Sequence, residues 1–187
     1  MASNARKIKL HGTPEFIEHF LKYAPTMTAQ ELYDQGRELL AANNLDGCTV
    51  LQYAAQIGHP EACMIMANAI LSGSGWGSPE DAVKYLTTAA DNGNIEALTN
   101  LAICYQMGHG VKTNMALGYS LLLKASALGD NLATLNIAQM YFTGTFVQQD
   151  KIRGWVLTQE LVAKGLPEAK DFMDKMIKSG YVGPDLN

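Results

Sequence analysis

The chain has 187 residues, of which 48% are hydrophobic and 17% are charged, and its formal net charge is −4. That apolar content is enough for a packed core, whereas the acidic balance argues against nucleic acid, whose partners usually carry a basic patch. With no apolar run of membrane-spanning length and no secretory signal at the N-terminus, we expect a cytoplasmic protein with neither nucleic-acid nor membrane partners.

The N-terminal region predicts an arm and then a short helical hairpin. Residues 1–12 are polar and basic and should form a flexible arm. Thr13 followed by Pro14 is typical of a helix N-cap with proline at the first helical position. Thr28 is predicted to cap a second helix, and the Asn-Asn pair at 43–44 to turn the chain into a third. This hairpin should shield the elements that follow, because terminal repeats need a polar outer face.

Beyond that hairpin, glycine recurs with a fixed period at the end of each helical pattern. The spacings are 35, 36 and 36 residues, between Gly58, Gly93, Gly129 and Gly165. An alanine keeps step four residues after each glycine, and a small residue keeps step where each second helix begins. Glycine suits the position after a helix, since a β-carbon is penalised in the left-handed conformation found there. Several columns in one register indicate a helical solenoid.

The register sets the predicted elements. Paired helices are expected near 60–72 and 79–92, 94–107 and 113–128, and 130–143 and 149–164, with a last helix from Pro167 to about Ser179. We predict one solenoid domain over 13–180, with nine to eleven helices and no strand, and a tail at 181–187. The N-terminal helices occupy 13–58, the three repeats occupy 59–93, 94–129 and 130–165, and the capping helix occupies 166–180.

The second repeat carries a family resemblance. Its matching positions are Ala97, Leu101, Ala102, Tyr105, Gly108, Gly110, Val111, Asn114, Gly118, Leu121, Ala125, Ser126 and Gly129. This pattern resembles the Sel-one-like repeat, a longer-looped relative of the tetratricopeptide repeat, over roughly Gly47 to Gly180. It departs at Asn114 (Asp in the family), at Gly118 (Ala) and, in the next copy, at Phe146, which replaces the second loop glycine. The resemblance implies an all-α, right-handed α-solenoid of helix-turn-helix repeats that acts as a non-catalytic protein-interaction scaffold.

The reactive residue types show no pattern typical of catalysis or metal binding. Cys48, Cys63 and Cys104 do not recur in register and form no C-x-x-C pair, so we expect reduced, buried thiols. The histidines lack H-x-x-x-H spacing, and a metal needs several converging ligands. The Gly-His-Gly run at 108–110 lacks the Lys-Ser/Thr of a phosphate-binding loop. We therefore expect no catalytic residues, no metal and no cofactor.

The candidate binding surface lies on the first helix of each repeat. In a tetratricopeptide-like superhelix these helices line the concave face, and amide, methionine and aromatic side chains suit an extended peptide or a partner helix. The candidate partner-binding residues are Asn68, Thr99, Asn100, Ile103, Gln106, Met107, Leu135, Asn136, Gln139 and Phe142. Asn100 and Asn136 occupy one column, and their amides could either pair with a ligand's main chain or bond within the protein.

A second column and two further functions stay open. Val83, Tyr119 and Trp155 recur on second helices, either as packing between repeats or as a convex hydrophobic contact strip. An adaptor that binds a protein or peptide through the concave groove is the leading interpretation. One alternative is a bacterial immunity protein that neutralises a secreted toxin, since short members of the family occur in such settings; the other is a weak hydrolase or small-molecule binder. The oligomeric state does not follow from the sequence.

Overall fold

The computed structural model describes residues 12–183 and is helical throughout that range. It contains ten α-helices and one 3₁₀ turn, and no β-strand among these residues. The all-α prediction and the expected number of helices are confirmed for the described part of the chain. The predicted arm at 1–12 lies outside it except for Gly12, as does the predicted tail at 181–187 except for residues 181–183.

The helices follow the predicted order, with boundaries within about two residues of those expected. They are α1 Pro14–Tyr23, α2 Ala29–Ala41, α3 Asp46–Gln56, α4 Pro60–Leu71, α5 Pro79–Asp91, α6 Ile95–Met107, α7 Met115–Ala127, α8 Asn131–Thr143, α9 Lys151–Ala163 and α10 Pro167–Lys178. The chain divides into two compact units, the first ending at Asn94 and the second beginning at Ile95. A single domain over 13–180 stays a prediction.

Local capping chemistry explains where several helices begin. The Thr13 hydroxyl accepts a hydrogen bond from the backbone N–H of Phe16. Thr28 forms a capping box with Glu31, in which each side chain bonds the other residue's backbone N–H. Both predicted N-caps are confirmed, and they satisfy N–H groups that a helix leaves without an intrahelical partner.

The helix ends are closed by the recurring glycines. Gly58, Gly93, Gly129 and Gly165 have φ of 97°, 89°, 95° and 82°. The residue after each glycine donates its backbone N–H to the carbonyl five residues earlier, as His59 does to Ala54 and Asp130 does to Ala125, each at 3.0 Å. This is the Schellman arrangement, so the period read from the sequence is the period of these caps.

In the first unit, helices pack as hairpins that meet at small residues. A β-carbon on Gly47 of α3 would lie 2.5 Å from the carbonyl oxygen of Gly36 on α2, so the two backbones touch. α4 packs on α3 and pairs with α5. Leu32, Leu51 and Leu86 are fully enclosed in this unit.

The second unit repeats this packing. A β-carbon on Gly118 of α7 would lie 2.9 Å from the carbonyl oxygen of Ala102 on α6, and one on Gly154 of α9 would lie 2.7 Å from that of Ala138 on α8. α7 packs on α8 and α9 packs on α10. The exposed face of α10 is charged, as expected of a capping helix, through Glu168, Lys170, Asp171, Asp174, Lys175 and Lys178.

Candidate functional site

The predicted partner-binding residues fall in both units. Asn68 is exposed on α4 in the first unit, and the other nine lie on α6 and α8 in the second. In the second unit these two helices are neighbours, since the Gln106 amide donates to the Met140 sulfur at 3.6 Å. Of the predicted residues, those of α6 and α8 therefore lie on helices that contact each other.

Two of the predicted residues belong to the interior, which corrects their assignment to a groove. Thr99 is 3% exposed, and its hydroxyl donates to Asp130 Oδ2 at 2.6 Å. Leu135 is 4% exposed and packs in a cluster with Leu161 and Ala169. Neither side chain can contact a partner. The sequence analysis assigned both residues to the surface from their position in the repeat. Because α6 and α8 are apolar on several faces, periodicity alone does not separate core residues from surface residues.

The remaining predicted residues of α6 and α8, without Asn68 of the first unit, form what we call the first-helix face. Its members are Asn100, Ile103, Gln106, Met107, Asn136, Gln139 and Phe142. Met107 is 65% exposed, and the other six are half-buried. The Asn136 amide donates to the carbonyl of Leu132 on its own helix at 2.9 Å, and Asn100 also has an interaction within the protein. Both asparagines therefore make intramolecular contacts, as one of the two interpretations expected.

The column on the second helices supports packing rather than a contact strip. Val83 and Trp155 are buried, with 8% and 7% of their surface exposed. The Trp155 ring meets Tyr181 edge-on at 5.6 Å. Tyr119 is half-buried, and its hydroxyl lies 3.2 Å from that of Tyr141.

A cleft that the sequence did not predict lies beside the loop between α8 and α9. It has a volume of about 570 Å³ and is lined by Tyr141, Tyr181 and residues 148–153. The guanidinium carbon of Arg153 lies 4.3 Å from the centre of the Tyr141 ring. Lys151 Nζ lies 5.6 Å from the ring centre of Phe142 and 5.9 Å from that of Tyr181. Two cations are thus placed over three aromatic rings, and we call this the α8–α9 cleft.

Among the described residues, the side chains that line this cleft carry more positive than negative charge. Within residues 12–183, no carboxylate lies within 4.0 Å of the amine of Lys151 or the guanidinium of Arg153. Asp150 also lines the cleft, but its Oδ1 caps α9 by accepting the backbone N–H of Arg153 at 2.9 Å. Burial and the neighbouring Tyr141 raise the pKa of Tyr119, so this phenol stays neutral. The cleft therefore favours anionic ligands.

The histidine, cysteine and carboxylate side chains of the described region form no metal-binding cluster. Among residues 12–183, no three His, Cys, Asp or Glu side chains come together in a way that could hold a metal ion. The three cysteines are unpaired. Burial raises the pKa of Cys63 to about 11 and raises those of Cys48 and Cys104 as well. Raised values disfavour the thiolate, which is the nucleophilic form. No helix in this range combines the length and the apolar character that a membrane crossing needs.

Helical hairpins closed at a fixed period define a helical-repeat protein of the solenoid class. The family model of the Sel1 repeat matches residues 60–94, 95–130 and 131–165, which is more than half of the chain. The chain belongs to the Sel1 repeat family, and the resemblance found in its sequence is confirmed. Members of this family generally act as protein-interaction scaffolds.

Solved structures show the same fold at low identity. A Sel1 repeat protein from Oxalobacter formigenes matches with a TM-score of 0.74 and 22% identity, over 91% of this chain and 70% of that one. The protective antigen c5321 of uropathogenic Escherichia coli strains, which displays an SLR fold, matches with a TM-score of 0.66 and 24% identity, over 88% and 36%.

Curated relatives resemble this chain over part of their length. The F-box protein At1g67340 of Arabidopsis thaliana is 30% identical over 135 residues, covering 68% of this chain and 35% of the relative. Eukaryotic elongation factor 2 kinase of Rattus norvegicus is 30% identical over 86 residues, covering 41% and 12%. The chain spans about an eighth to a third of the length of these relatives.

Proposed function

We propose that this protein is a non-catalytic scaffold that binds a peptide or a partner protein through the first-helix face of its second unit. The observation that carries the proposal is Met107, an apolar side chain that is 65% exposed at the end of α6. Methionine is unbranched and polarizable, and it adapts to partners of different shape. Membership of a family of interaction scaffolds supports the same function.

The neighbours of Met107 complete a surface of mixed character. Ile103 lies one turn before Met107 on α6. Gln139 lies 36 residues after Ile103 and occupies the same repeat position on α8. Half-buried apolar and amide side chains next to each other can cover a ligand's side chain and bond its main chain. This surface suits an extended peptide or a partner helix.

The cellular setting forms part of the proposal. We place the protein in the cytoplasm, which the three unpaired cysteines support. We propose a protein or peptide as the partner, and neither nucleic acid nor a membrane, because the net charge is −4.

Affinity capture from the native cell, followed by mass spectrometry, tests this function. The wild type and the double variant Ile103→Gln/Met107→Gln are compared, with Leu128→Gln as the control, because Leu128 is 54% exposed in the same unit but lies at the end of α7. We expect the wild type and Leu128→Gln to retain the same partners and the double variant to lose them. Partners retained equally by all three, or by none, would overturn the proposal. One stoichiometric partner would indicate an inhibitory role, and several weak ones an adaptor.

A further inference from the structure

We propose that the α8–α9 cleft binds an acidic segment of a partner protein through Lys151 and Arg153. This proposal rests on the proposed function, because it names the chemistry of a polypeptide partner. Phe142 belongs to both surfaces, but Lys151 and Arg153 are not members of the first-helix face, so substitutions at these two cations test the cleft separately.

The local charge argues for an acidic ligand. The chain as a whole is acidic, yet the only charged residues between 131 and 159 are Asp150, Lys151 and Arg153. The Asp150 carboxylate caps α9 and offsets one of the two positive charges, which leaves these three side chains with a net charge of +1. Carboxylates of a ligand would supply the missing counter-charges, and guanidinium binds carboxylate in a two-pronged geometry.

The aromatic rings hold the cations in place before a ligand arrives. A cation over a ring face is attracted by the ring's quadrupole, and this is the geometry of Arg153 over Tyr141 and of Lys151 near Phe142 and Tyr181. Tyr141 is itself held by the hydroxyl of Tyr119. Exposed ion pairs contribute little when both partners must be ordered, and a cation that is already ordered avoids part of that cost.

The size and lining of the cleft suit a short stretch of polypeptide. Its volume of about 570 Å³ falls within the range of about 300–1,000 Å³ that is typical of ligand sites. The rings of Tyr141 and Tyr181 offer apolar surface beside the cations, where the methylene groups of Glu side chains can pack. An acidic segment supplies both carboxylates for the cations and methylene groups for the rings.

Fluorescence anisotropy with a labelled octapeptide of Glu and Gly residues tests the proposal on the full chain. We expect binding that weakens as salt is added, because exposed charges are screened. The variant Lys151→Gln/Arg153→Gln should bind at least tenfold more weakly. The variant Lys170→Gln/Lys175→Gln, which removes two exposed lysines from α10, should bind as the wild type does. Arg153→Lys keeps the charge but loses the two-pronged geometry, so it should bind more weakly than the wild type and more tightly than Lys151→Gln/Arg153→Gln.

Three results would overturn the proposal. The peptide could fail to bind at millimolar concentration, or the α10 variant could lose as much affinity as the cleft variant. Inorganic phosphate could shift the amide resonances of residues 148–153 while the peptide leaves them unchanged, which would make the cleft a phosphate site. If native partners are captured through Met107 but the acidic peptide does not bind, this inference fails and the proposed function stands. If the peptide binds but no partner is captured, the cleft binds acidic polypeptide and the proposed function fails.

Discussion

Phe146 adopts, at φ 64°, the left-handed backbone conformation that Gly110 adopts at φ 69° one repeat earlier. The two positions are 36 residues apart and correspond in the repeat. A bulky residue in this conformation is an outlier that costs about 1–2 kcal/mol. The Phe146 ring lies 5.7 Å from that of Tyr119, whose hydroxyl meets Tyr141 in the α8–α9 cleft. The strained residue therefore contacts the side chains that support this cleft.

The strain at Phe146 predicts an unusual order of stability. Both Phe146→Gly and Phe146→Ala lose the ring contact, but only glycine relieves the strain. We expect Phe146→Gly to be more stable than Phe146→Ala by about 1 kcal/mol, measured by urea unfolding. At Gln159, an exposed position within α9, the same pair should show the opposite order, with alanine favoured by about 1 kcal/mol. Equal stability of the two Phe146 variants would mean that the loop does not hold a left-handed residue.

Ala102 lies where α6 and α7 pack closely against each other. It is fully buried, and its carbonyl lies where a β-carbon on Gly118 would collide. Ala102→Leu should overpack this crossing and cost about 1–3 kcal/mol. Trp155 fluorescence in a Trp76→Phe background reports on the second unit alone. The exposed Ala116→Leu on α7 should change stability by less than about 0.5 kcal/mol, and an equal loss in both variants would contradict the assigned packing.

Because the Cys63 thiol is buried, we expect the free energy of unfolding to fall at high pH. Its pKa is raised from 9.0 to about 11 by burial, so the unfolded chain releases this proton at lower pH than the folded chain does. Stability is therefore unaffected by this group below about pH 9 and falls between pH 9 and 11. The decline from pH 8 to 10.5 should be smaller in Cys63→Ala than in the wild type. Parallel declines would show that the thiol is not buried.

Thiol titration addresses the redox state of the same cysteines. At pH 8 an aromatic disulfide reagent should react first with the half-buried Cys48 and slowly with Cys63 and Cys104, which are enclosed. After denaturation without a reductant we expect three thiols per chain. One thiol per chain would reveal a disulfide and would argue against the cytoplasmic setting proposed here.

The helices were predictable from sequence because their signals are local. Glycine after a helix, and threonine or proline before one, act within a few residues, so the register of Gly93 and Gly129 was enough to place the neighbouring elements. Asn114 and Asp150 differ from each other, yet both cap the second helix of their repeat by accepting a backbone N–H. The departure from the family pattern at Asn114 therefore keeps the side-chain cap of α7.

The binding surface was less predictable because burial depends on several neighbours at once. Leu135 is enclosed by α9 and α10, which its own helix does not reveal. The α8–α9 cleft was missed for a different reason, since its cations do not recur: Met115 and Leu117 stand one repeat earlier where Lys151 and Arg153 stand. A search for repeated columns is insensitive to such residues, although a residue that departs from its column is a useful signal of function.

The asparagine column tests which surface recognises the partner. Asn100→Ala combined with Asn136→Ala should leave the fold intact, because the bond from Asn136 to the Leu132 carbonyl is exposed and lies within one helix. If these amides also pair with a ligand's main chain, losing two such contacts at about 0.5–1.5 kcal/mol each should weaken binding roughly tenfold or somewhat more.

The measurement is a titration of the captured native partner by calorimetry, with thermal unfolding followed by circular dichroism as the control for stability. Lys151→Gln/Arg153→Gln is titrated alongside. If the asparagine variant binds as tightly as the wild type while the cleft variant does not, recognition lies at the α8–α9 cleft and the first-helix face is not the binding site. If both lose affinity, the partner contacts α6, α8 and the α8–α9 loop together, and their losses should add, because residues that do not touch one another contribute independently.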